Sequence, residues 1–328
     1  MTDSATGVGI RTVGIVGSGL IGSGWAARAL AHGLDVIAWD PNPEAEPGFR
    51  LNVENAWLTL SEMGLAEGAS LDRLSFVTDL EKCAGNSDFL QENAPDNEQL
   101  KRDLITRLDG MTRPDVIIAS SSSGILPTLL QRECQHPQRV LIGHPFNPVY
   151  LLKLVEVMGG EQTSADVITR AGRFYRTIGM RPLHARVEVE GYISDRLQQV
   201  VFHEALYMIK EGVATAAEID ASITGGPGRR WAFLGPMMAF HLAGGEGGLR
   251  YAMKHWSPDD VKGWTHLPAP DFTPELIDAA AGGTEASQGT RSIKDFEKRR
   301  DKCLLAIDHA LDEFWFGEEA DGWPEMEL

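Results

Sequence analysis

The sequence predicts an α/β domain followed by an all-helical domain. Three features of the 328-residue chain support this prediction: strand-like and helical segments alternate through its first half, a glycine-rich motif follows the first strand, and no strand-like run recurs beyond about residue 186. Alternating strands and helices need crossover connections, so they favour a mostly parallel sheet. We therefore expect an N-terminal domain over residues 1–188 and a C-terminal helical domain over residues 189–328.

The expected strands are short runs rich in β-branched and other apolar residues. They cover residues 12–16, 35–39, 76–78, 89–91, 116–119, 139–142 and 154–157. The second domain begins with a long helix from about residue 191 to 211, in which apolar residues recur at three- and four-residue spacings. The sequence Thr215-Ala-Ala-Glu218 has the spacing of a capping box and predicts the start of another helix. A glycine- and proline-rich loop at residues 225–228 and a final amphipathic helix at about 294–316 complete the expected domain.

Composition and charge exclude several classes of protein. With 43% hydrophobic and 23% charged residues, the chain resembles a globular protein rather than a disordered one. The 30 Lys and Arg residues against 47 Asp and Glu residues give a formal net charge of −17, which disfavours nucleic acid and anionic membranes as partners. No apolar run reaches the roughly 20 residues of a membrane span, and residues 1–9 lack the pattern of a secretory signal. Three scattered cysteines favour a reducing, cytoplasmic location.

The segment Gly17-Ser18-Gly19-Leu20-Ile21-Gly22 has the pattern G-x-G-x-x-G and lies between an expected strand and an expected helix. In that context Gly17 permits the tight turn, Gly19 lets a pyrophosphate approach the backbone, and Gly22 lets the helix pack close to the sheet. The N-terminus of the helix attracts phosphates through its free N–H groups and its dipole. We therefore predict a Rossmann-type domain in which these six residues bind a dinucleotide.

Asp40 identifies NAD as the expected dinucleotide. It directly follows the second expected strand, at about the 20-residue spacing from the glycine motif that is typical of such domains. A carboxylate at this position accepts hydrogen bonds from the ribose hydroxyls and repels the 2′-phosphate of NADP. Two alternatives stay open: the glycines form only a turn, or the dinucleotide is FAD, although no second dinucleotide-binding segment is evident.

The segment from Gly143 to Val157 contains a candidate catalytic pair. His144 is expected just after a strand, where doubly wound sheets place their ligands. Glu156 alternates with apolar residues in the next strand, so its side chain faces away from theirs. A carboxylate among β-branched residues needs a partner, and the N–H of a neutral imidazole is a suitable one. The alternative is a histidine that caps a turn and a glutamate on a solvated strand face.

Four further segments carry a resemblance to a known family. They are Ser120–Pro127, Gly143–Asn147, Leu154–Val157 and Gly191–Leu197. Together with the glycine motif, and in this order, they resemble the L-3-hydroxyacyl-CoA dehydrogenase superfamily over nearly the whole chain. The resemblance implies an NAD-dependent oxidation of a 3-hydroxy compound, a Rossmann-type N-terminal domain, and an all-helical C-terminal domain that forms a homodimer.

The resemblance also implies roles for four candidate catalytic residues. His144 is the general base, and Glu156 orients it. Ser123 contacts the substrate hydroxyl and the nicotinamide, and Asn147 lies near the nicotinamide.

Three more residues match positions that contact the cofactor or the substrate. Asp96 and Lys101 correspond to cofactor contacts of the family. The usual asparagine of the family's Gly-Phe-x-x-Asn-Arg segment is Asp195 here. Because this change adds negative charge near the site, it favours a cationic substrate.

The expected substrate is a quaternary ammonium hydroxy acid. Residues 41–82 contain three basic and eight acidic residues, a balance that disfavours the phosphates of coenzyme A, although a few well-placed cations would be enough to bind them. Residues 225–235 and 241–248 resemble a branch of the superfamily whose substrate carries a trimethylammonium group. Aromatic ring faces bind such a group, and the candidate residues are Trp231, Phe233, Phe146 and Tyr192. Arg230 is the candidate for the substrate carboxylate.

Several alternatives stay open. Each aromatic residue is also suited to core packing, and Arg230 to a structural ion pair. A short-chain 3-hydroxyacyl-CoA and L-gulonate are alternative substrates for the same reaction. A non-catalytic, crystallin-like dinucleotide-binding protein is the alternative from another class. The histidines show no metal-ligand spacing, so we predict no metal site.

Overall fold

The computed structural model describes residues 9–232 and isolated positions beyond them, and all structural statements concern this part of the chain. The chain divides into two compact units between Arg196 and Leu197. The first unit, described over residues 9–196, contains one eight-stranded sheet. The described residues of the second unit form helices joined by turns, and none of the described helices is long and apolar enough to cross a membrane.

The sheet is parallel except at one pair of strands. Its strands are β1 (Thr12–Val16), β2 (Asp35–Trp39), β3 (Leu74–Val77), β4 (Phe89–Glu92), β5 (Ile117–Ser120), β6 (Val140–Pro145), β7 (Leu154–Gly159) and β8 (Arg181–His184). They lie in the order β3-β2-β1-β4-β5-β6-β7-β8. Only β6 and β7 are antiparallel neighbours within this sheet, and their register places His144 directly opposite Glu156. Side chains of directly opposed residues lie on the same face of a sheet and contact each other.

Helices cover both faces of the sheet. They are α1 (Leu20–Ala31), α2 (Glu46–Met63), α3 (Leu80–Gly85), α4 (Glu98–Met111), α5 (Pro127–Gln131) and α6 (Ala165–Thr177). One apolar cluster contains residues of α1, α2 and α6, and a second contains residues of α3, α4 and α5. Successive residues of a strand face opposite clusters, as Ile117 and Ile118 do in β5, because side chains alternate along a strand. Three further helices follow: α7 (Ser194–Lys210), α8 (Ala216–Gly225) and α9 (Pro227–Trp231).

The predicted fold class is confirmed, and some predicted boundaries change. His144 lies within β6 rather than after it, because the pairing of β6 with β7 extends β6 to Pro145. The expected loop at residues 225–228 contains the end of α8 and the start of α9. The capping box is present: Thr215 Oγ1 accepts the N–H of Glu218 at 3.3 Å, and Glu218 Oε2 accepts the N–H of Thr215 at 2.9 Å. The final helix expected at 294–316 lies outside the described residues, apart from isolated positions. The boundary expected at residues 188 and 189 stays a prediction.

Candidate active site

The glycine loop (Gly17–Gly22) connects β1 to α1 and requires glycine at two positions. Gly17 has a φ of +104°, and a Cβ atom on it would lie 2.8 Å from the backbone of Asn93. A Cβ atom on Gly22 would collide with the carbonyl oxygen of Gly17. On Gly19, by contrast, a Cβ atom would meet no atom within 4 Å, so the middle of the loop borders open space. No side chain caps the N-terminus of α1, so its N–H groups are available to an anion.

Asp40 joins the end of β2 to the glycine loop. Its Oδ2 accepts hydrogen bonds from the backbone N–H of Ser18 at 3.2 Å and from Ser18 Oγ at 2.6 Å. Its Oδ1 accepts the N–H of Asn42 at 3.0 Å. In the same loop Leu20 is exposed, and Ile21 packs against the core. The sequence predicted that Asp40 lies beside the loop, but not that Ser18 holds it there.

A cavity of about 1050 Å³ opens beside the glycine loop. Its lining includes Gly17–Gly19, Trp39–Pro41, residues 78–81 and Arg107. This volume lies just above the roughly 300–1,000 Å³ that is usual for ligand sites, so the cavity is large enough for a sizeable ligand. The open space at Gly19, the uncapped N-terminus of α1 and the acid at the rim are features that a pyrophosphate and an adenosine ribose need. The residues present therefore fit NAD.

The serine segment (Ser120–Ser123) lies at the end of β5 and is held by Asp96. This carboxylate accepts hydrogen bonds from Ser122 Oγ at 3.0 Å and from Ser123 Oγ at 2.6 Å. Burial opposes ionisation of Asp96, but the hydrogen bonds from the serines and the nearby Lys101 ammonium outweigh it and lower the pKa of Asp96. Two predicted site residues, Ser123 and Asp96, are thus in direct contact.

Lys101 is buried and paired with carboxylates. Its Nζ lies 3.0 Å from Glu92 Oε1, 3.1 Å from Glu92 Oε2 and 3.5 Å from Asp96 Oδ1, and its side chain is only 1% exposed. Glu92 is fully buried and also accepts a hydrogen bond from Ser120 Oγ at 2.5 Å. Pairing with the ammonium group offsets the cost of burying this carboxylate. Sequence analysis did not single out Glu92, and contact of Lys101 with the cofactor stays a prediction.

His144 and Glu156 form a buried pair across β6 and β7. His144 Nδ1 lies 3.1 Å from Glu156 Oε2, and the two residues are 6% and 0% exposed. Glu156 Oε1 accepts hydrogen bonds from the N–H groups of Ile193 and Ser194 at 3.1 and 3.0 Å, and from Ser194 Oγ at 3.2 Å. Glu156 therefore connects His144 to the N-terminus of α7, where the helix dipole favours a negative charge.

Asp195, in the first turn of α7, lies on the other side of the imidazole. Its Oδ2 is 3.5 Å from His144 Nε2, and its side chain is 29% exposed. Burial raises the pKa of Asp195, and the neighbouring Glu156 and Asp96 raise it further, although His144 acts in the opposite direction. Two carboxylates thus lie on opposite sides of one imidazole, and among the described residues Glu156 accepts hydrogen bonds from two backbone N–H groups and a serine hydroxyl.

Two of the predicted aromatic residues pack against His144. The rings of Phe146 and Tyr192 each lie edge to face with the imidazole, with centroids 5.2 Å away. Tyr192 is fully buried and donates its hydroxyl to the carbonyl oxygen of Ile125 at 3.0 Å. Burial raises the pKa of Tyr192 far above its usual value, so the phenol stays neutral. Asn147 follows β6 and is exposed.

The remaining predicted substrate residues belong to the second unit. Trp231 ends α9 and is 43% exposed. The side chain of Arg230 and the whole of Phe233 lie outside the described residues. Their contacts with a substrate stay predictions.

The structure thus brings together the predicted residues Asp96 and Ser123, and separately His144, Glu156, Phe146, Tyr192 and Asp195. Sequence analysis missed two partners of these residues: the buried Glu92, which pairs with Lys101, and the half-buried Ser194, which donates to Glu156. The signal available for Glu92 was a charged residue at the end of a short strand that begins with two large apolar residues. Within the described part of the chain, no group of three or more His, Cys, Asp or Glu side chains is arranged to hold a metal ion.

Comparisons with known proteins agree with one another over most of the chain. The family model for the NAD-binding domain of 3-hydroxyacyl-CoA dehydrogenase matches residues 12–188, and the model for the C-terminal domain of that enzyme matches residues 191–291. An L-carnitine dehydrogenase from Pseudomonas aeruginosa is 52% identical over 304 residues, which cover 93% of this chain and 95% of that protein. An L-carnitine dehydrogenase from Bacillus cereus is 47% identical over 313 residues, 95% of this chain and 96% of that protein.

Solved structures show the same fold. The crystal structure of an NAD+-dependent dehydrogenase of a methylpyridine carboxylic acid superposes with a TM-score of 0.78 and 26% identity, over 92% of this chain and 98% of that chain. The 3-hydroxybutyryl-CoA dehydrogenase of Escherichia coli has a TM-score of 0.61 and 29% identity, over 71% of this chain and 49% of that chain.

Proposed function

The chain belongs to the 3-hydroxyacyl-CoA dehydrogenase family and is an NAD-dependent 3-hydroxy dehydrogenase, and we propose that it oxidises L-carnitine to 3-dehydrocarnitine. The observation that carries the reaction type is the buried contact of His144 Nδ1 with Glu156. An ionised carboxylate only accepts hydrogen bonds, so Nδ1 carries the hydrogen and the lone pair of Nε2 is left to act as a base.

In the proposed mechanism, His144 Nε2 removes the proton of the substrate hydroxyl. NAD, when bound, supplies the acceptor for the hydride of the carbinol carbon. Glu156 stabilises the positive charge that develops on the imidazole, and its bonds to the start of α7 keep it from turning away. General-base catalysis of this kind contributes about 10²–10⁴-fold to a rate.

The residues proposed to bind NAD surround the ends of β1, β2 and β5. The glycine loop would hold the pyrophosphate, and Asp40 the adenosine ribose. Ser123 Oγ donates its hydrogen to Asp96, so its lone pairs are left to accept a hydrogen bond from the nicotinamide amide. We assign Lys101 and Asp96 to this site as supports of the serine segment, and Asn147 as a contact of the nicotinamide end.

Three observations support L-carnitine as the substrate. Relatives that carry the name L-carnitine dehydrogenase are 47–52% identical over nearly the whole chain. Asp195 places a carboxylate beside the base, which suits a substrate with a quaternary ammonium group. Arg50 and Arg73, two of the three basic residues of residues 41–82, are in ion pairs with carboxylates of the chain, which leaves few cations there for coenzyme A.

A panel of three substrates tests the proposal. The purified protein, with NAD, is offered L-carnitine, a short-chain L-3-hydroxyacyl-CoA and L-gulonate, and NADH formation is followed by absorbance. We expect the highest kcat/KM for L-carnitine. Turnover of only the CoA ester or only L-gulonate would contradict the proposal that L-carnitine is the substrate. NADH binding without turnover of any of the three would favour the non-catalytic alternative.

We also propose the homodimer that the family resemblance implies, which light scattering of the purified protein tests.

A further inference from the structure

Gln91 in β4 lies at the centre of a buried hydrogen-bond network that the mechanism has not used. Its side chain, 1% exposed, lies in the layer between the sheet and α6. Gln91 Nε2 donates to the carbonyl oxygen of Gly143 at 3.1 Å and to Ser121 Oγ at 2.8 Å, and Gln91 Oε1 accepts the hydroxyl of Tyr175 at 2.7 Å. A carbonyl oxygen only accepts, so the bond to Gly143 determines which end of the amide carries the nitrogen.

Every group in this network is satisfied. Ser121 Oγ accepts from Gln91 Nε2 and from Trp25 Nε1 at 3.1 Å, and donates to Asn93 Oδ1 at 2.8 Å. Asn93 Nδ2 in turn donates to the backbone carbonyl of Gln91 at 2.7 Å. Gln91 and Tyr175 are buried, so rotation of either side chain would leave a polar partner unpaired in the interior, whereas Ser121 and Asn93 are only partly buried.

The groups that Gln91 holds are next to the candidate catalytic residues. Gly143 immediately precedes His144, and Ser121 lies two positions before Ser123. A Cβ atom on Gly143 would collide with the Tyr175 hydroxyl, so the backbone of β6 approaches the network as closely as its atoms allow. One amide therefore connects the strand that carries the base to the segment that carries Ser123.

We infer that Gln91 is a positioning residue that keeps His144 and Ser123 in register for hydride transfer. The inference rests on the proposed roles of those two residues. Side chains that must align with one reacting centre lose rate steeply when they are displaced, by up to about 100-fold for 1 Å. A residue that only stabilised the fold would lower stability without separating kcat from cofactor binding.

A double-mutant cycle with Q91M and S123A tests this inference. Methionine replaces glutamine at similar volume and removes all three side-chain hydrogen bonds. We expect Q91M to lower kcat by about tenfold or more and to change the Kd for NADH by a smaller factor than kcat. In the S123A protein we expect Q91M to lower kcat by a clearly smaller factor than in the wild type, because the effects of residues that act as one unit are not additive.

The matched control is Q131M. Gln131 is also fully buried and bridges two segments, donating to the carbonyl of Pro137 at 2.9 Å and accepting the N–H of Gln162 at 3.3 Å. Its bonds reach neither His144 nor the serine segment. Q131M should therefore reduce thermal stability to a similar degree and leave kcat unchanged.

Two results would overturn the inference: a loss of kcat in Q91M no larger than in Q131M, or full additivity of Q91M and S123A. If Q91M does not fold, Y175F replaces it in the cycle, because it removes only the donor to Gln91 Oε1. The cycle is run with whichever 3-hydroxy substrate the protein turns over. Failure of L-carnitine as a substrate would thus count against the proposed function, while the cycle still decides the role of Gln91.

Discussion

The glycine loop and the surroundings of His144 differ in how they are built. The glycine loop is one continuous segment whose shape depends on its own backbone, with Asp40 as its main distant partner. The contacts of the His144 site come from β6, β7 and the start of α7, and each joins groups that lie 12 or more residues apart in the sequence. Because the two regions are built separately, we expect substitutions in the glycine loop to affect cofactor binding and substitutions around His144 to affect the chemical step.

The largest expected effect is that of H144A. Removing the base should lower kcat by about 10²–10⁴-fold, because the group proposed to accept the hydroxyl proton is then missing. The Kd for NADH, measured by fluorescence titration, should not change. A kcat within about tenfold of the wild type would remove His144 from the mechanism.

G19A should separate cofactor binding from stability within the glycine loop. Its methyl group would meet no protein atom within 4 Å, so we expect a loss of less than about 1 kcal/mol in the free energy of unfolding. The same methyl group would occupy the space for the pyrophosphate, so NADH affinity should fall by about tenfold or more.

G22A is the matched comparison. Its methyl group would collide with the carbonyl oxygen of Gly17, so unfolding should become easier by about 2 kcal/mol or more. Equal thermal shifts for G19A and G22A would show that the loop has a different conformation from the one described.

S194A should have a smaller effect on the His144 site. It removes one of the three donors to Glu156 Oε1, so Glu156 is held less firmly against His144. We expect kcat to fall by about two- to fivefold, the cost of about one weak hydrogen bond. NADH affinity should stay the same.

S164A provides the control for S194A. Ser164 caps α6 by accepting the N–H of Val167 at 3.3 Å, away from the site. S164A should lower stability by about 1 kcal/mol and leave kcat unchanged. A fall in kcat of the same size in both variants would mean that the S194A effect is only a loss of stability.

The smallest expected effect concerns stability and pH at Asp195. Because the pKa of Asp195 is raised by folding, its ionised form disfavours the folded state at neutral pH. This cost decreases as the pH falls through the raised pKa and is gone below the pKa of the unfolded chain. D195N should therefore be more stable than the wild type at neutral pH, and the difference should vanish in mild acid. Urea unfolding of both proteins at a series of pH values measures the difference in their free energies of unfolding. A difference that grows as the pH falls would contradict the raised pKa of Asp195.

Much of the fold and part of the site could be predicted from sequence. The parallel sheet followed from the alternation of strands and helices, and the glycine loop from a contiguous motif, because both patterns depend on local backbone geometry. The position of His144 within β6 could not be predicted, because β6 ends where its pairing with β7 ends. The burial of Lys101 could not be predicted either, since it depends on an ion pair with Glu92, which lies in another element.

The sequence was enough to predict the two-part architecture, the glycine loop with Asp40 beside it, and the pairing of His144 with Glu156. The polar groups around this pair are known only from the packed structure: Ser194 donates to Glu156, Asp195 lies near His144 Nε2, and Gln91 donates to the carbonyl oxygen of Gly143. Hydrogen bonds within one motif follow from residue spacing along the chain. Bonds between distant strands exist only after the chain has packed, because packing alone brings their donors and acceptors within 3.5 Å.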